Sequence, residues 1–401
     1  MYHKDLLIVG GGPAGLLTSI KLLEKGFSSD IVILEEHSRI GKPAHCAGVI
    51  SLNGLKKYYL NYAVRESFVN IVNSARIYFP NGKELFVKAD KDMAAIVDRE
   101  KFDYLLSTYA LEKGVDIRKG EKVSKIAKKG KDIRVLLNKE KKKYKVSNLI
   151  LATGVNDRLS IELGFSKNKG VIPALQYEMA ISKSLNNRIV EIFLGEKYSE
   201  GFFAWLIPLG DKLVKVGVAS YHNPLLRMKY LLKESIMKEK LGSYNIRKVM
   251  GGAVITGGPK KTLLMNENES SIFLIGDVAG QTKPTTGGGI VFIGNAAEIL
   301  SSAIVNEDFQ LYERQWWAEI KNEIYFQTAL RKFLNMLTDN DLVKIYYLLK
   351  EGDFEEISAK LEEMDYQSII LKKYILSNVT HIFKHPLILA KAIIALVKSF
   401  L

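Results

Sequence analysis

One thiol, Cys46, is all that this 401-residue chain contains. A lone cysteine forms no internal disulfide, builds no thiolate cage for zinc, and falls short of the roughly four thiolates that hold an iron–sulfur cluster. Any redox chemistry here must use an organic cofactor, and no metal site is expected. Long apolar runs are missing too. No stretch reaches the ~18 apolar residues of a membrane-spanning helix, and the nearest approach, PLILAKAIIALVKSFL at 386–401, is broken by Lys391 and Lys398. The opening MYHKDLLIVGGG lacks the charged leader, apolar core and cleavage site of a secretory signal. The expectation is a cytoplasmic protein, with peripheral contact to a membrane left open.

Acidic residues are outnumbered, 44 against 58 Lys and Arg, for a formal net charge of +14. The excess is concentrated in residues 118–145, where 13 Lys or Arg face only Glu121, Asp132 and Glu140. That segment reads as short strands joined by turns at Gly130 and at 139–143. Two roles suit it, a solvated lysine-rich sheet edge or a patch attracted to anionic lipid. No nucleic-acid recognition module accompanies the charge, so nucleic acid is not an expected partner.

What is present reads as a folded globular chain, 47% hydrophobic and 25% charged. GGGPAG, residues 10–15, follows an apolar run and precedes helical spacing through Leu16, Leu17, Ile20 and Leu23. A second apolar run, DIVILEE at 30–36, completes a β–α–β unit of about 30 residues. Gly10, Gly12 and Gly15 answer three demands of a bound dinucleotide: a tight turn, backbone approach to the pyrophosphate, and close packing of helix on strand. Glu35, 20 residues after Gly15, is placed to accept ribose hydroxyls and argues against a 2′-phosphate there.

Residues 98–113 read as a helix, and the apolar NLILATG (148–154) and SIFLIGD (271–277) read as strands of the same sheet. Between them, GVIPALQYEMAI, RIVEIFLG and LVKVGVAS look like longer antiparallel strands. The expected fold is α/β (α+β): a Rossmann-like domain from 1–155 and 250–308, an inserted antiparallel-sheet substrate domain at 156–249, and a helical C-terminal region at 309–401.

The stretches DREKFDYLL from Asp98, FLIGDVAG from Phe273 and KPTTGGGI from Lys283 resemble, in order and separation, flavoproteins of the p-hydroxybenzoate hydroxylase type. That resemblance implies FAD, bound non-covalently. It places Asp277 at the ribityl chain and Gly288, Gly289 and Ile290 at the isoalloxazine, and it extends the cofactor set to Ala14, Glu36, Arg99 and Val123. Within the superfamily the chain is most similar to the geranylgeranyl reductases, through LEEHSRIGKPAHCAGVIS, DREKFD, GFFAWLIPLGDKLVKVGVA and GDVAGQTKPTTGGGI. The implied activity is saturation of isoprenoid double bonds on a geranylgeranyl lipid or diphosphate. Phe203, Trp205 and Pro208 would then wall an apolar cavity, or else simply fill a sheet core.

By the same resemblance PAHCAG runs past the flavin, bringing Cys46, Ala47 and Gly48 to it. Cys46 is then either a proton donor or a small side chain packed on the ring, and His45 is a second proton-donor candidate. After ATG (152–154) the chain continues VNDRL with no DG-type motif, leaving the electron donor open among a ferredoxin, a reduced deazaflavin and NAD(P)H. The last 70 or so residues carry no family motif, so no site residue is expected there. Two other readings compete: a flavin monooxygenase or halogenase, to which WLIP is similar, and a non-catalytic prenyl-lipid binder or electron carrier.

Overall fold

The computed structural model describes residues 2–62, 64–129, 132–138, 143–265, 270–360 and 363–400. Gly130 and residues 139–142, where two basic turns are expected, lie outside the described residues. An eight-stranded sheet carries the first strand, Tyr2–Val9, near its middle, parallel to Ile31–Glu35 on one side and Lys143–Leu151 on the other. Asp116–Lys119 extends it beyond Ile31–Glu35, and Ser271–Leu274 then Leu263–Met265 extend it beyond Lys143–Leu151. Strands Asp132–Leu137 and Val123–Lys129 add an antiparallel ribbon. Leu6, Leu7 and Ile8 are all fully buried, as expected for a parallel strand with both faces covered.

One cover is the helix Pro13–Glu24, which starts with proline at its first position and buries Leu16, Leu17, Ile20 and Leu22. It packs on the helix Ile290–Val305, which is buried almost all round and so sits inside the core rather than on its surface. The helix Phe309–Leu334 closes the layer with a stripe at i, i+4 spacing, Tyr312, Trp316, Ile320 and Ile324, directed into the same core.

The second sheet has seven strands in the order Tyr244–Ile255, Val171–Ile181, Leu213–Ala219, Ala204–Pro208, Ile189–Phe193, Ser74–Tyr78, Glu84–Lys88. Two of these come from within 1–155, and the edge strand Tyr244–Ile255 runs across the expected boundary at 249. The reason is long-range pairing: Val171–Ile181 bonds along Tyr244–Ile255 for its whole length, and Ser74–Tyr78 lies parallel to Ile189–Phe193. Neither partnership leaves a local signal. A three-stranded sheet, Val49–Ser51, Ala94–Val97 and Phe68–Val72, contributes Val72, Ala94 and Ile96 to the core beneath the seven-stranded sheet.

The C-terminal region is helical, from Phe309–Leu334 to Pro386–Phe400. The last helix packs on Phe309–Leu334 and buries Ile388 and Ala395 there. Lys391 bonds the Met336 carbonyl and the Asp341 carboxylate (2.6 Å). Among the described residues no helix is long and apolar enough to cross a membrane.

Candidate functional site

A cavity of about 630 Å³ joins the glycine turn of the first sheet to one face of the second. Its three glycines take distinct roles. Gly10 adopts φ +113°, and a Cβ there would fall 2.2 Å from the Ala152 carbonyl oxygen. A Cβ on Gly15 would fall 2.1 Å from the Gly10 carbonyl, so the helix rests directly on the turn. Gly12 differs: its φ of −82° suits any residue, and a Cβ would meet nothing within 4 Å because it would project into open space. That is the cradle a pyrophosphate needs, at the N-terminus of a 12-residue helix. The Glu35 carboxylate is fixed beside it, accepting from Gly11 N–H (2.8 Å) and His37 N–H (2.8 Å) and bonded to His37 Nδ1 (2.6 Å).

Further along the cavity stands Asp277, carried by a turn after the strand Ser271–Leu274. Its carboxylate has no hydrogen-bond partner among the described residues, and burial raises its pKa against the opposing pull of Arg99. An unpaired carboxylate lining a cavity is a ligand group in want of a hydroxyl. The cradle at Gly12, the fixed Glu35 and the open Asp277 together fit a flavin dinucleotide.

Arg99 follows Asp98, which caps the helix Arg99–Glu112 by accepting from the N–H groups of Glu100 and Lys101. One turn on, both oxygens of Asp103 accept from Arg99 Nη2 (3.0 and 3.2 Å), and one of them also accepts from Nε (3.3 Å). Burial disfavours the Arg99 charge, but Asp103 and the Cys46 thiol outweigh it and hold the pKa above its usual value. Cys46 Sγ accepts from Gly48 N–H at 3.4 Å. Lys215, buried and pushed down in pKa by that burial, donates to the Ala47 carbonyl (3.1 Å). The thiol is thus half-buried, lines the cavity, and sits on a segment tied to the seven-stranded sheet through Lys215 and to the three-stranded sheet through the bond from Val97 N–H to the Gly48 carbonyl. His45 also lines it but is exposed.

The far wall is one face of the seven-stranded sheet, where strand alternation puts Ala174, Gln176, Val190, Ile192, Trp205 and Met250 on the same side. Trp205 donates from Nε1 to Gln176 Oε1 (2.9 Å), and its ring lies across Gly217, where a Cβ would come within 2.2 Å. Gly217→Ala should therefore displace the indole and lower stability by about 1–3 kcal/mol, read as a lower Tm of the purified protein. An unchanged Tm would mean that the ring is not seated as described.

Most of the sequence-derived residues converge on this cavity: Gly12, Ala14, Glu35, His45, Cys46, Ala47, Gly48, Arg99, Phe203, Trp205, Asp277, Gly288, Gly289 and Ile290 line it. Gly10 and Gly15 shape the turn from behind. Three residues stand elsewhere. Pro208 lies on the opposite face of its strand from Trp205, and Ile207 takes the lining position. Val123 is buried in the core on the other side of the first sheet. Glu36 is exposed and ion-paired with Lys122 (2.5 Å).

The cavity also recruits Met364, Asp365 and Gln367 from the C-terminal region, where no site residue is expected. Asp365 accepts from Lys283 Nζ (2.6 Å) and from Ser51 Oγ. Burial pushes its carboxyl up in pKa, yet Lys283 and Ser51 hold it below the usual range. Arg331 binds this region further, donating to the carbonyls of Pro284, Thr285 and Gly201 while lying over the Phe202 ring at 4.8 Å. With no carboxylate partner among the described residues, it is pushed down to about 10 by burial. Lys283 opens the KPTTGGGI motif. Asp365 has no local signal, since its partner Ser51 is 314 residues away. Among the described residues no cluster of metal-ligating side chains exists.

Residues 5–391 match a protein-family model described as lycopene cyclase protein. An uncharacterised protein of Methanocaldococcus jannaschii is 31% identical over 372 residues, covering 87% of this chain and 89% of its own length. The digeranylgeranylglycerophospholipid reductase of Methanococcus vannielii is 28% identical over 377 residues, covering 88% of this chain and 92% of its own. Among solved structures, a geranylgeranyl bacteriochlorophyll reductase-like protein from Thermoplasma acidophilum shares the fold with a TM-score of 0.81 at 22% identity, covering 98% of this chain and 100% of its own.

Proposed function

The chain belongs to the lycopene cyclase protein family, and we propose that it is an FAD-dependent reductase saturating carbon–carbon double bonds of geranylgeranyl chains in membrane-lipid biosynthesis. The observation that carries the proposal is the continuity of the cavity: a dinucleotide cradle at one end, an apolar sheet face at the other, and a thiol between them. The Methanococcus vannielii relative, a digeranylgeranylglycerophospholipid reductase, points the same way.

Bound FAD, once reduced by a ferredoxin, a deazaflavin or NAD(P)H, supplies the hydride. The chain supplies everything else. Amides at the start of Pro13–Glu24 would hold the pyrophosphate, Glu35 and Asp277 would accept from the hydroxyls of the ribose and the ribityl chain, and Gly288, Gly289 and Ile290 would offer backbone to the ring. Val190, Ile192, Trp205 and Met250 exclude water and hold the apolar chain against the reacting face. An isolated alkene accepts hydride poorly, so an acid must stand by the second carbon. Cys46 gives up its proton there, and Arg99 steadies the charge left on sulfur. The test is mass spectrometry of geranylgeranyl lipid after incubation with dithionite-reduced protein. A gain of two hydrogens per double bond supports the reading, and an unchanged mass rejects it.

The substrate's origin also bears on location. Leu376, Phe383, Leu387, Ile393 and Val397 are exposed apolar side chains on the last helices, while Lys372, Lys373, Lys384 and Lys398 are exposed on the same segment and residues 367–400 contain no acid. Apolar surface with a basic rim suits the interface of an anionic membrane. Replacing Leu387, Ile393 and Val397 together by serine touches only exposed positions and should abolish flotation with anionic liposomes. Equal flotation of parent and variant would reject this surface.

A further inference from the structure

A second hollow, of about 500 Å³, adjoins the mouth of the cavity and shares His37, Lys42 and Pro43 with it. Its walls carry Arg39, Lys42 and Lys248 against a single carboxylate, Glu100. Lys42 reaches Glu100 at 3.2 Å and Lys248 bonds its other oxygen. Lys248 holds the Glu100 pKa below its usual value, with Lys42 adding to the effect against some burial. Arg39 has no side-chain partner among the described residues and leaves the hollow with an excess of positive charge. The arrangement is held in place. Gly41 takes φ +79°, and a Cβ there would fall 2.7 Å from the Glu100 carbonyl oxygen, so the loop bearing Arg39 and Lys42 lies directly on the start of the helix Arg99–Glu112. Lys248 comes from the other side, on the edge strand Tyr244–Ile255 of the seven-stranded sheet.

A ligand reaching from this hollow into the cavity would be anionic at one end and apolar along its length. We propose that Arg39 and Lys248 bind the phosphate group of the isoprenoid substrate, with the chain passing through the shared mouth toward the sheet face. The proposal rests on the reductase reading for the identity of the chain, and on charge and continuity for the phosphate. Arg39 offers a planar pair of donors suited to phosphate oxygens, and Lys248 offers a point charge. Arg39 stands on the loop and Lys248 on the edge strand of the seven-stranded sheet, so the phosphate would bridge the two.

The test compares geranylgeranyl diphosphate with geranylgeraniol, the same chain without phosphate, on the FAD-loaded protein, following quenching of tryptophan fluorescence. The diphosphate should bind about 10- to 100-fold more tightly at low salt, with the advantage shrinking as salt is raised. In the Arg39→Ser, Lys248→Ser double variant the advantage should vanish while geranylgeraniol binding and FAD content are retained. Equal binding of the two ligands by the parent, or an undiminished preference in the variant, would overturn the proposal. Loss of FAD from the variant would assign these cations to the cofactor and overturn it as well. Displacement of the diphosphate by NADPH with the same dependence on Arg39 would assign the phosphate site to a dinucleotide donor instead. Failure of the reductase reading looks different: the binding preference stays, and no double bond is reduced.

Discussion

Gly12→Leu should yield a folded protein with the parent's apo stability that no longer retains FAD. The two halves of this result come from separate observations. The backbone at Gly12 has φ −82°, which leucine adopts freely, and a Cβ there collides with nothing in the protein. The space it would fill is the space the pyrophosphate needs. Overpacking of this kind costs about 1–3 kcal/mol, which weakens binding by up to about 100-fold, enough for the flavin to be lost on gel filtration. Gly10→Ala and Gly15→Ala should instead damage folding, because their Cβ atoms would meet backbone oxygens at 2.2 and 2.1 Å. A Gly12→Leu protein that emerges with stoichiometric FAD would remove this turn from the cofactor site.

Cys46→Ala should keep FAD, accept electrons at the parent rate, and reduce alkenes about 10²- to 10⁴-fold more slowly, the usual cost of losing a positioned acid. Cys46→Ser should recover little, since a hydroxyl is a far weaker acid than a thiol. The thiol stands beside Arg99, whose charge Asp103 maintains in a buried setting, so the anion left after proton transfer has a fixed counter-charge. If Cys46 merely packs against the ring, both variants should stay within a few-fold of the parent. Single-turnover oxidation of the reduced protein by geranylgeranyl lipid separates the two outcomes, because it bypasses electron delivery. Near-parent rates in Cys46→Ala would move attention to His45.

How legible each part was depends on how local its cause is. Gly10, Gly12, Gly15 and Glu35 sit within one β–α–β unit, and the demands of a dinucleotide on that turn are written in consecutive residues. Asp277 and the Gly288–Gly289 turn were found through their motifs. Trp205 lines the cavity while Pro208, three residues on, does not, because strand alternation within AWLIP turns Pro208 to the other face. Ser74–Tyr78 joins the second sheet through pairing with Ile189–Phe193, more than 100 residues away, and brings its hairpin partner Glu84–Lys88 with it, and no composition shift announces it. Asp365 is the sharpest case. A buried aspartate between Lys283 and Ser51 is explained only when three distant segments meet, so its part in the cavity wall could not be read from the residues around it.

The central claim is that this cavity passes hydride from reduced FAD to an isoprenoid double bond. Strict anaerobic reduction of the FAD-loaded protein, followed by stopped-flow mixing with geranylgeranyl lipid and mass analysis of the product, tests it most directly. The account predicts that the absorbance of oxidised flavin returns without oxygen while the lipid gains two hydrogens for each flavin oxidised. Flavin that stays reduced until oxygen is admitted, or that reoxidises while the lipid mass stays unchanged, would contradict it.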